Sequence, residues 1–150
     1  MIKNFYPTQY REDNKKDISH NYLNRQFNDY KKIFSKIEKL VKKADFTLGE
    51  EVNNFEKKFA RLVGSKFAVG VGSGTDALFL SLKAYGFGNG DEVITTPYTF
   101  YATIGAIVTA GCKPVFVDIS DDMNIDVEKI ENKISKKTKA IIPVHWTGKP

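Results

Sequence analysis

The sequence predicts an α/β protein in which a mostly parallel sheet is flanked by helices. Short, almost wholly apolar runs recur through the chain after residue 65, and helical patterns separate them. Strands that are apolar throughout are typical of a parallel sheet covered on both faces, whereas one-sided sheets show alternation. Glycine-rich turns close several of these runs. Strands that alternate with helices in this way predict crossover units and a parallel sheet.

Composition and charge are those of a soluble globular protein. The 150 residues are 41% hydrophobic and 27% charged, with a formal net charge of +5. The lysines are scattered without interleaved aromatics, which favours a solvated basic surface over a nucleic-acid site. Cys112 is the only cysteine, so no intrachain disulfide can form. No signal peptide or long apolar span is evident, and we expect a cytoplasmic protein with no membrane partner.

The first third of the chain reads as an arm followed by helices. We predict an N-terminal arm and helix over residues 1–48, with the arm itself loosely ordered through Arg25. Residues 49–150 are then expected to form the sheet domain. Helical spacing predicts a helix over 28–43 and another over 50–63. Their apolar stripes are interpreted as core: Tyr30, Ile33, Phe34, Ile37, Leu40 and Val41 on one, Val52, Phe55, Phe59 and Leu62 on the other.

The remaining elements follow in order. Apolar runs predict strands over 66–71, 92–96, 114–117 and 140–144. Between them, helices are predicted from the turn at residues 72–76 to Tyr85 and over 100–110. A short helix is expected to begin after an Asp126 N-cap and to point Val127, Ile130 and Ile134 inward.

The stretch from Phe67 to Leu78 predicts a phosphate site. An apolar run ends in small residues and a helix pattern starts at once. At such a turn the free amides of the first helical turn and the positive end of the helix dipole both favour an anion. Gly72 and Gly74 allow backbone to approach a ligand closely, and Ser73 and Thr75 add hydroxyls. A βα turn whose glycines serve only packing is the competing interpretation.

Several phosphate ligands fit such a turn. A dinucleotide or an adenosine cofactor calls for an acid at the end of the second strand to hold a ribose. That strand ends here in Thr95-Thr96-Pro97, and its acids, Asp91 and Glu92, lie at the opposite end. An adenosine cofactor is thereby disfavoured but remains an alternative. A phosphate monoester such as pyridoxal phosphate needs only the turn and a group that stacks on its ring.

Five motifs in order resemble the N-terminal part of the DegT/DnrJ/EryC1/StrS family of pyridoxal-phosphate (PLP) sugar aminotransferases. The resemblance covers about residues 49–150. It is carried by Gly72-Ser73-Gly74-Thr75-Asp76-Ala77-Leu78, Gly88-Asn89-Gly90-Asp91-Glu92-Val93-Ile94, Pro97-Tyr98-Thr99-Phe100-Tyr101-Ala102-Thr103, Gly111-Cys112-Lys113-Pro114-Val115-Phe116-Val117-Asp118 and Ile141-Ile142-Pro143-Val144-His145-Trp146-Thr147-Gly148-Lys149-Pro150.

The resemblance implies that residues 49–150 are the N-terminal part of the large domain of a fold-type I PLP-dependent transferase. We predict no metal site. It implies that PLP is held through its phosphate by Ser73, Gly74, Thr75 and Asp76, and that Phe100 stacks on the pyridine ring. A flat aromatic there would exclude water and fix the ring plane. On the substrate side we expect Tyr101 and Trp146 to shape a sugar-binding wall, with His145 close to the site.

No catalytic residue is assigned within the chain. In the family, the lysine that forms the Schiff base and the acid on the pyridinium nitrogen lie in motifs that would follow Pro150. The resemblance therefore implies a fragment of a homodimeric enzyme that moves an amino group, from glutamate, to a nucleotide-linked keto sugar for polysaccharide synthesis. We expect the fragment alone to be inactive. The alternative is a non-catalytic regulatory or phosphate-ligand-binding module on the same fold.

Overall fold

The computed structural model describes residues 23–150, which fall into two compact units. The first ends at Ala68 and the second begins at Val69. The predicted arm before Leu23 lies outside the described residues. The predicted division of the chain at residue 49 stays a prediction.

The first unit is helical: α1 spans Leu23–Gln26, α2 spans Tyr30–Lys43 and α3 spans Glu50–Val63. The helices predicted over 28–43 and 50–63 are confirmed, while the end of the predicted arm, up to Arg25, lies in α1. Gly64 ends α3 with φ +70°, and its amide donates to the carbonyls of Ala60 and Arg61. Glycine adopts this left-handed conformation at low cost, which explains why the helix stops there.

The apolar stripes of α2 and α3 are largely exposed in the structure, so their predicted burial is wrong; only Leu40 and Val52 are half-buried. Phe34 of α2 is 64% exposed and Phe55 of α3 is 59% exposed. Spacing shows that one face of a helix is apolar, but it carries no information about what covers that face. Within residues 23–150, neither stripe joins a buried core cluster.

The second unit is built on a three-stranded parallel sheet. Helix α4 spans Gly74–Ala84 and α5 spans Tyr101–Thr109. The strands are in the order β2-β1-β3 and all pairs are parallel, which confirms the predicted α/β class. Since β1 is central, Val93 to Thr96 are buried. The strand bounds are Glu92–Thr95 for β1, Lys113–Phe116 for β2 and Thr138–Ile142 for β3.

The strand predicted over 66–71 is not formed in the structure. These residues have no strand assignment and belong to no ladder among the described residues. A strand needs a neighbour that pairs with its backbone N–H and C=O groups, and among the described residues neither edge strand, β2 or β3, pairs with this segment. An apolar run shows that a segment is suited to a sheet, but pairing decides whether it enters one.

Successive side chains of β1 point to opposite faces of the sheet, so the buried core has one cluster on each face. Val93 packs on one face in a cluster with Leu82 of α4 and Ile107 of α5. On the other face, Ile94 packs against Val117 and Ile125. The second face is covered by the segment after β2 rather than by a regular helix. The short helix predicted there is a pair of 3₁₀ turns, Val127–Lys129 and Glu131–Lys133.

The details of that segment agree with prediction only in part. The Asp126 carboxylate accepts a hydrogen bond from the Glu128 amide at 3.1 Å, which confirms the predicted N-cap. Ile130 packs against the core, but Val127 and Ile134 are 67% and 55% exposed, so their predicted burial is wrong. Two 3₁₀ turns do not present the i, i+3, i+4 stripe of an α-helix, because their side chains repeat every three residues.

Helices α4 and α5 pack side by side and point the same way. At the end of α4, the Lys83 Nζ donates to the carbonyl of Ala110 at the end of α5, at 3.4 Å. The same Nζ lies 3.4 Å from the carbonyl of Phe87. With both C-terminal ends joined, both N-terminal ends lie at the other end of the pair. No helix among residues 23–150 is long and apolar enough to span a bilayer.

Candidate active site at the carboxyl edge of the sheet

The predicted phosphate turn is an open N-terminus of helix α4. Ser73 is the N-cap: its Oγ accepts from the Asp76 amide at 3.0 Å, and its carbonyl accepts from the Ala77 amide at 3.0 Å. The amides of Gly74 and Thr75 come before the first intrahelical bond, and among the described residues they have no recorded acceptor. Gly74 has open space around it, with no atom within 4 Å of a Cβ placed there. The turn therefore offers two amides to an anion.

Asp76 folds back over the turn. A Cβ placed on Gly72 would lie 2.7 Å from the Asp76 Oδ2, so only glycine allows this approach without a shift. A carboxylate is favourable at a helix N-terminus, but it repels a phosphate. We therefore expect Asp76 to shape the turn, while the amides of Gly74 and Thr75 make the contacts to phosphate.

Phe100 begins helix α5, at the same end of the helix pair as the phosphate turn. It is the N-cap residue and its side chain is 64% exposed. Its ring lies 4.4 Å, centroid to centroid, from the ring of Tyr101, which is itself 75% exposed. No ring contact or hydrogen bond recorded for the described residues joins Phe100 to the turn itself. The structure thus brings the two features to one end, and their shared role in holding a cofactor stays a prediction.

Buried threonines fix the turn that leads from β1 to Phe100. Thr95 and Thr96 are fully buried, and the Thr95 hydroxyl donates to the carbonyl of Ile142 on β3 at 2.9 Å. The Thr96 hydroxyl accepts from the Tyr98 amide at 3.2 Å. A further hydrogen bond of 2.9 Å joins the hydroxyls of Thr99 and Thr103. A buried hydroxyl without a partner is costly, so these bonds fix the backbone path.

The Trp146 ring contacts the ring of Tyr98 in a tilted arrangement, whereas Tyr101 contacts Phe100. The ring centroids of Tyr98 and Trp146 are 4.3 Å apart, and the planes are inclined by 41°. The Trp146 amide donates to the Oδ1 of Asn124 at 3.2 Å. His145 precedes this turn and is exposed. Sequence reasoning missed the roles of Tyr98 and Asn124, although Tyr98 follows the proline that ends a strand and could have been noted for that reason.

The loop that carries Asn124 contains a strongly acidic carboxyl group. Hydrogen bonds from the Ser120 hydroxyl, the Asn124 amide and the Asn124 side chain, in that order of effect, lower the pKa of Asp122 to about 2. The Ser120 Oγ lies 2.6 Å from the Asp122 Oδ1. A carboxylate that accepts several hydrogen bonds is favoured in its charged form. The Asp122 carboxylate is therefore charged, and keeps its hydrogen bonds to Ser120 and Asn124, over the whole neutral pH range.

We expect Ser120→Ala to raise the pKa of Asp122 toward the ordinary value of 3.8, because the largest cause of the lowering is removed. The folded pKa lies below the unfolded one, so the contribution of Asp122 to stability is present above pH 4 and is lost as pH falls toward 2. Carboxyl chemical shifts followed by NMR against pH measure both values. An Asp122 pKa that is the same in the variant and the parent would contradict the assignment.

The fold is α/β, and its likeness to a solved aminotransferase with bound cofactor PMP, at a TM-score of 0.77, shows the class: the fold of the PLP-dependent aminotransferases. The sequence profile of the DegT/DnrJ/EryC1/StrS aminotransferase family matches residues 28–150. The chain belongs to this family.

Relatives support that assignment over most of the chain. A pleiotropic regulatory protein of Geobacillus stearothermophilus is 44% identical over 84% of this chain and 34% of its own. A dTDP-3-amino-3,6-dideoxy-α-D-galactopyranose transaminase of Aneurinibacillus thermoaerophilus is also 44% identical, over 79% of this chain and 33% of its own. The crystal structure of NtdA from Bacillus subtilis with bound cofactor PMP superposes with a TM-score of 0.77 at 36% identity, over 79% of this chain and 28% of that one. The chain spans about a third of the length of these relatives.

Proposed function

We propose that this chain supplies the cofactor-phosphate part of the active site of a PLP-dependent aminotransferase acting on a nucleotide-linked keto sugar. The observation that carries the proposal is the open first turn of α4, where the amides of Gly74 and Thr75 are available at the same end as the Phe100 ring. Family membership and a relative named as a sugar transaminase support the reaction. The proposed amino donor is glutamate, the assembly a homodimer, the location the cytoplasm and the product's use polysaccharide synthesis.

The residues fit such a cofactor. When bound, PLP supplies an electron sink for moving an amino group. The Gly74 and Thr75 amides, with the Thr75 hydroxyl, would take up the phosphate oxygens, aided by the dipole of α4. Ser73 keeps the helix start in place, because its Oγ caps the Asp76 amide. Phe100 would cover one face of the ring and exclude water from it.

A titration with PLP, followed through backbone amide shifts in ¹⁵N-labelled protein, tests the phosphate site. We expect saturable shifts at Gly74, Thr75 and Asp76, because these residues form the first turn of α4. Pyridoxal, which has no phosphate, is the matched control and should shift them far less. Equal shifts with both ligands, or none with PLP, would contradict the proposal.

The predicted position of the Schiff-base lysine, beyond Pro150, has its own test. In the 150-residue chain we expect no stable absorbance band of a PLP–lysine adduct that survives dialysis. A stable adduct mapped by peptide analysis to one lysine of this chain would refute the assignment and leave the phosphate site standing.

A regulatory role is the second candidate, since one relative is named a pleiotropic regulatory protein. In that case the turn would hold a phosphate ligand without transamination. The two functions separate in a coupled assay of the protein in its full natural length with glutamate and a nucleotide-linked keto sugar. Amino-sugar formation favours the enzyme, and phosphate-dependent binding without turnover favours the regulator.

A further inference from the structure

The loop from Ser120 to Asn124 is a tight hairpin held by its own backbone. Ile119 and Ile125 form an antiparallel bridge, and the Ser120 amide donates to the Asn124 carbonyl at 2.9 Å. Met123 occupies the left-handed region with φ +69°, and its amide donates to the Ser120 carbonyl at 2.9 Å. Since Ile125 is buried in the core below β1, the hairpin is anchored at its base.

Asp122 fixes the side chain of Asn124 from within this hairpin. The Asp122 Oδ1 accepts from the Asn124 backbone amide at 3.0 Å, and its Oδ2 accepts from the Asn124 Nδ2 at 3.1 Å. A carboxylate takes only donors, so the Asn124 nitrogen must face it and the Oδ1 must face away. The Trp146 amide, which is a donor, lies 3.2 Å from that Oδ1. One orientation of the Asn124 amide therefore satisfies both partners.

This hydrogen bond links two distant segments beside the candidate site. Asn124 and Trp146 are 22 residues apart and the bond between them is partly buried. Trp146 begins the 3₁₀ turn Trp146–Gly148 and places its ring 4.3 Å from that of Tyr98. The Tyr98 amide donates in turn to the hydroxyl of Thr96, the residue that follows β1. A chain of contacts thus runs from the hairpin to the carboxyl edge of the sheet.

We propose that Asn124 is a positioning residue that holds the Trp146 turn so that the Trp146 and Tyr98 rings form one fixed wall for the sugar ring. The wall as a sugar surface rests on the proposed function, while the positioning of Trp146 rests on the hydrogen bonds alone. The apolar C–H face of a pyranose ring suits two adjoining aromatic rings. When the two rings are already held in place, less side-chain conformational entropy is lost as a ligand binds to them.

Trp146 is the only tryptophan of the chain, so its fluorescence reports directly on this turn. In Asn124→Ala the turn loses one hydrogen bond, which we expect to raise the population of displaced Trp146 about fivefold. The measured results should be a red-shifted emission maximum and stronger quenching by acrylamide under native conditions. Tyr98→Leu, which removes the ring contact, should move both quantities in the same direction.

Asp121→Asn is the matched control. Asp121 is an exposed neighbour in the same hairpin, and the described structure gives its side chain no recorded hydrogen bond. This variant changes charge as Asp122→Asn does, yet should leave Trp146 emission at the parent value. Asp122→Asn should move it, because the anchor of Asn124 is weakened.

The positioning role is overturned if Asn124→Ala retains the parent emission maximum and acrylamide quenching while it is folded. A merely structural role would lower the unfolding midpoint without changing the native fluorescence. Failure of the proposed function has a different signature: Trp146 responds to Asn124→Ala, but PLP produces no amide shifts at Gly74 and Thr75. The two results are therefore distinguishable.

Discussion

Gly74→Pro should weaken PLP binding at the first turn of α4, so that the shifts of Thr75 and Asp76 need a higher PLP concentration, and should leave the protein folded. Proline lacks the backbone N–H, so the variant removes one of the two amides offered to the phosphate. It is tolerated at the first helical position, where its fixed φ suits the helix. Ser73, with φ −162° and ψ 168°, already has the extended backbone that a residue before proline needs.

Gly74→Ala is the control for this experiment, since it keeps the amide and adds only a methyl group. The space around Gly74 is open, so the methyl group meets no neighbour within 4 Å. A hydrogen bond to a charged group contributes about 1.5–3 kcal/mol, so the proline variant should bind PLP at least about tenfold more weakly than the alanine variant. Equal affinity for the two variants, measured by the same NMR titration, would show that the amide of Gly74 makes no contact with the phosphate.

Ile107→Ala should lower the free energy of unfolding by about 3 kcal/mol, a large part of the stability of a domain this size. Ile107 has no exposed surface and lies in the cluster with Val93 and Leu82 between the sheet and its helices. The substitution leaves a cavity that close-packed neighbours fill only in part. Urea denaturation followed by circular dichroism measures the change.

Val108→Ala provides the comparison, because Val108 is the next residue of α5 and is 56% exposed. An exposed substitution of this kind should change the free energy of unfolding by at most about 0.5 kcal/mol. Similar losses in the two variants would mean that the face of α5 turned toward the sheet is assigned wrongly.

Local patterns predicted most of the second unit. The run Glu92–Thr95 is a strand because it contains three β-branched residues in a row, Val93 to Thr95, and is bounded by turn residues. Ser73 caps α4 where small residues follow an apolar run. The bounds of α5 and β3 shifted by one or two residues, as helix and strand ends usually do. Helix caps and strand-forming runs were predictable because the residues that determine them are close neighbours in the sequence.

Features that depend on distant partners were not predictable. Nothing near residues 66–71 shows whether another strand pairs with them, and nothing near Phe34 shows what covers its helix face. The contact between Tyr98 and Trp146 joins residues far apart in the chain, so neither spacing nor composition indicates it. The hydrogen bond of Asn124 to Trp146 was missed for the same reason.

The ammonium group of Lys83 bridges the carboxyl-terminal ends of α4 and α5, where helix dipoles favour a positive charge. Acetylation would remove that charge. The two helices whose N-caps are Ser73 and Phe100 would then lose one hydrogen bond between their carboxyl-terminal ends and would rely on their apolar contacts alone. Acetylation at the carboxyl-terminal ends of α4 and α5 would in this way reduce the order of their amino-terminal ends, although no residue there is modified.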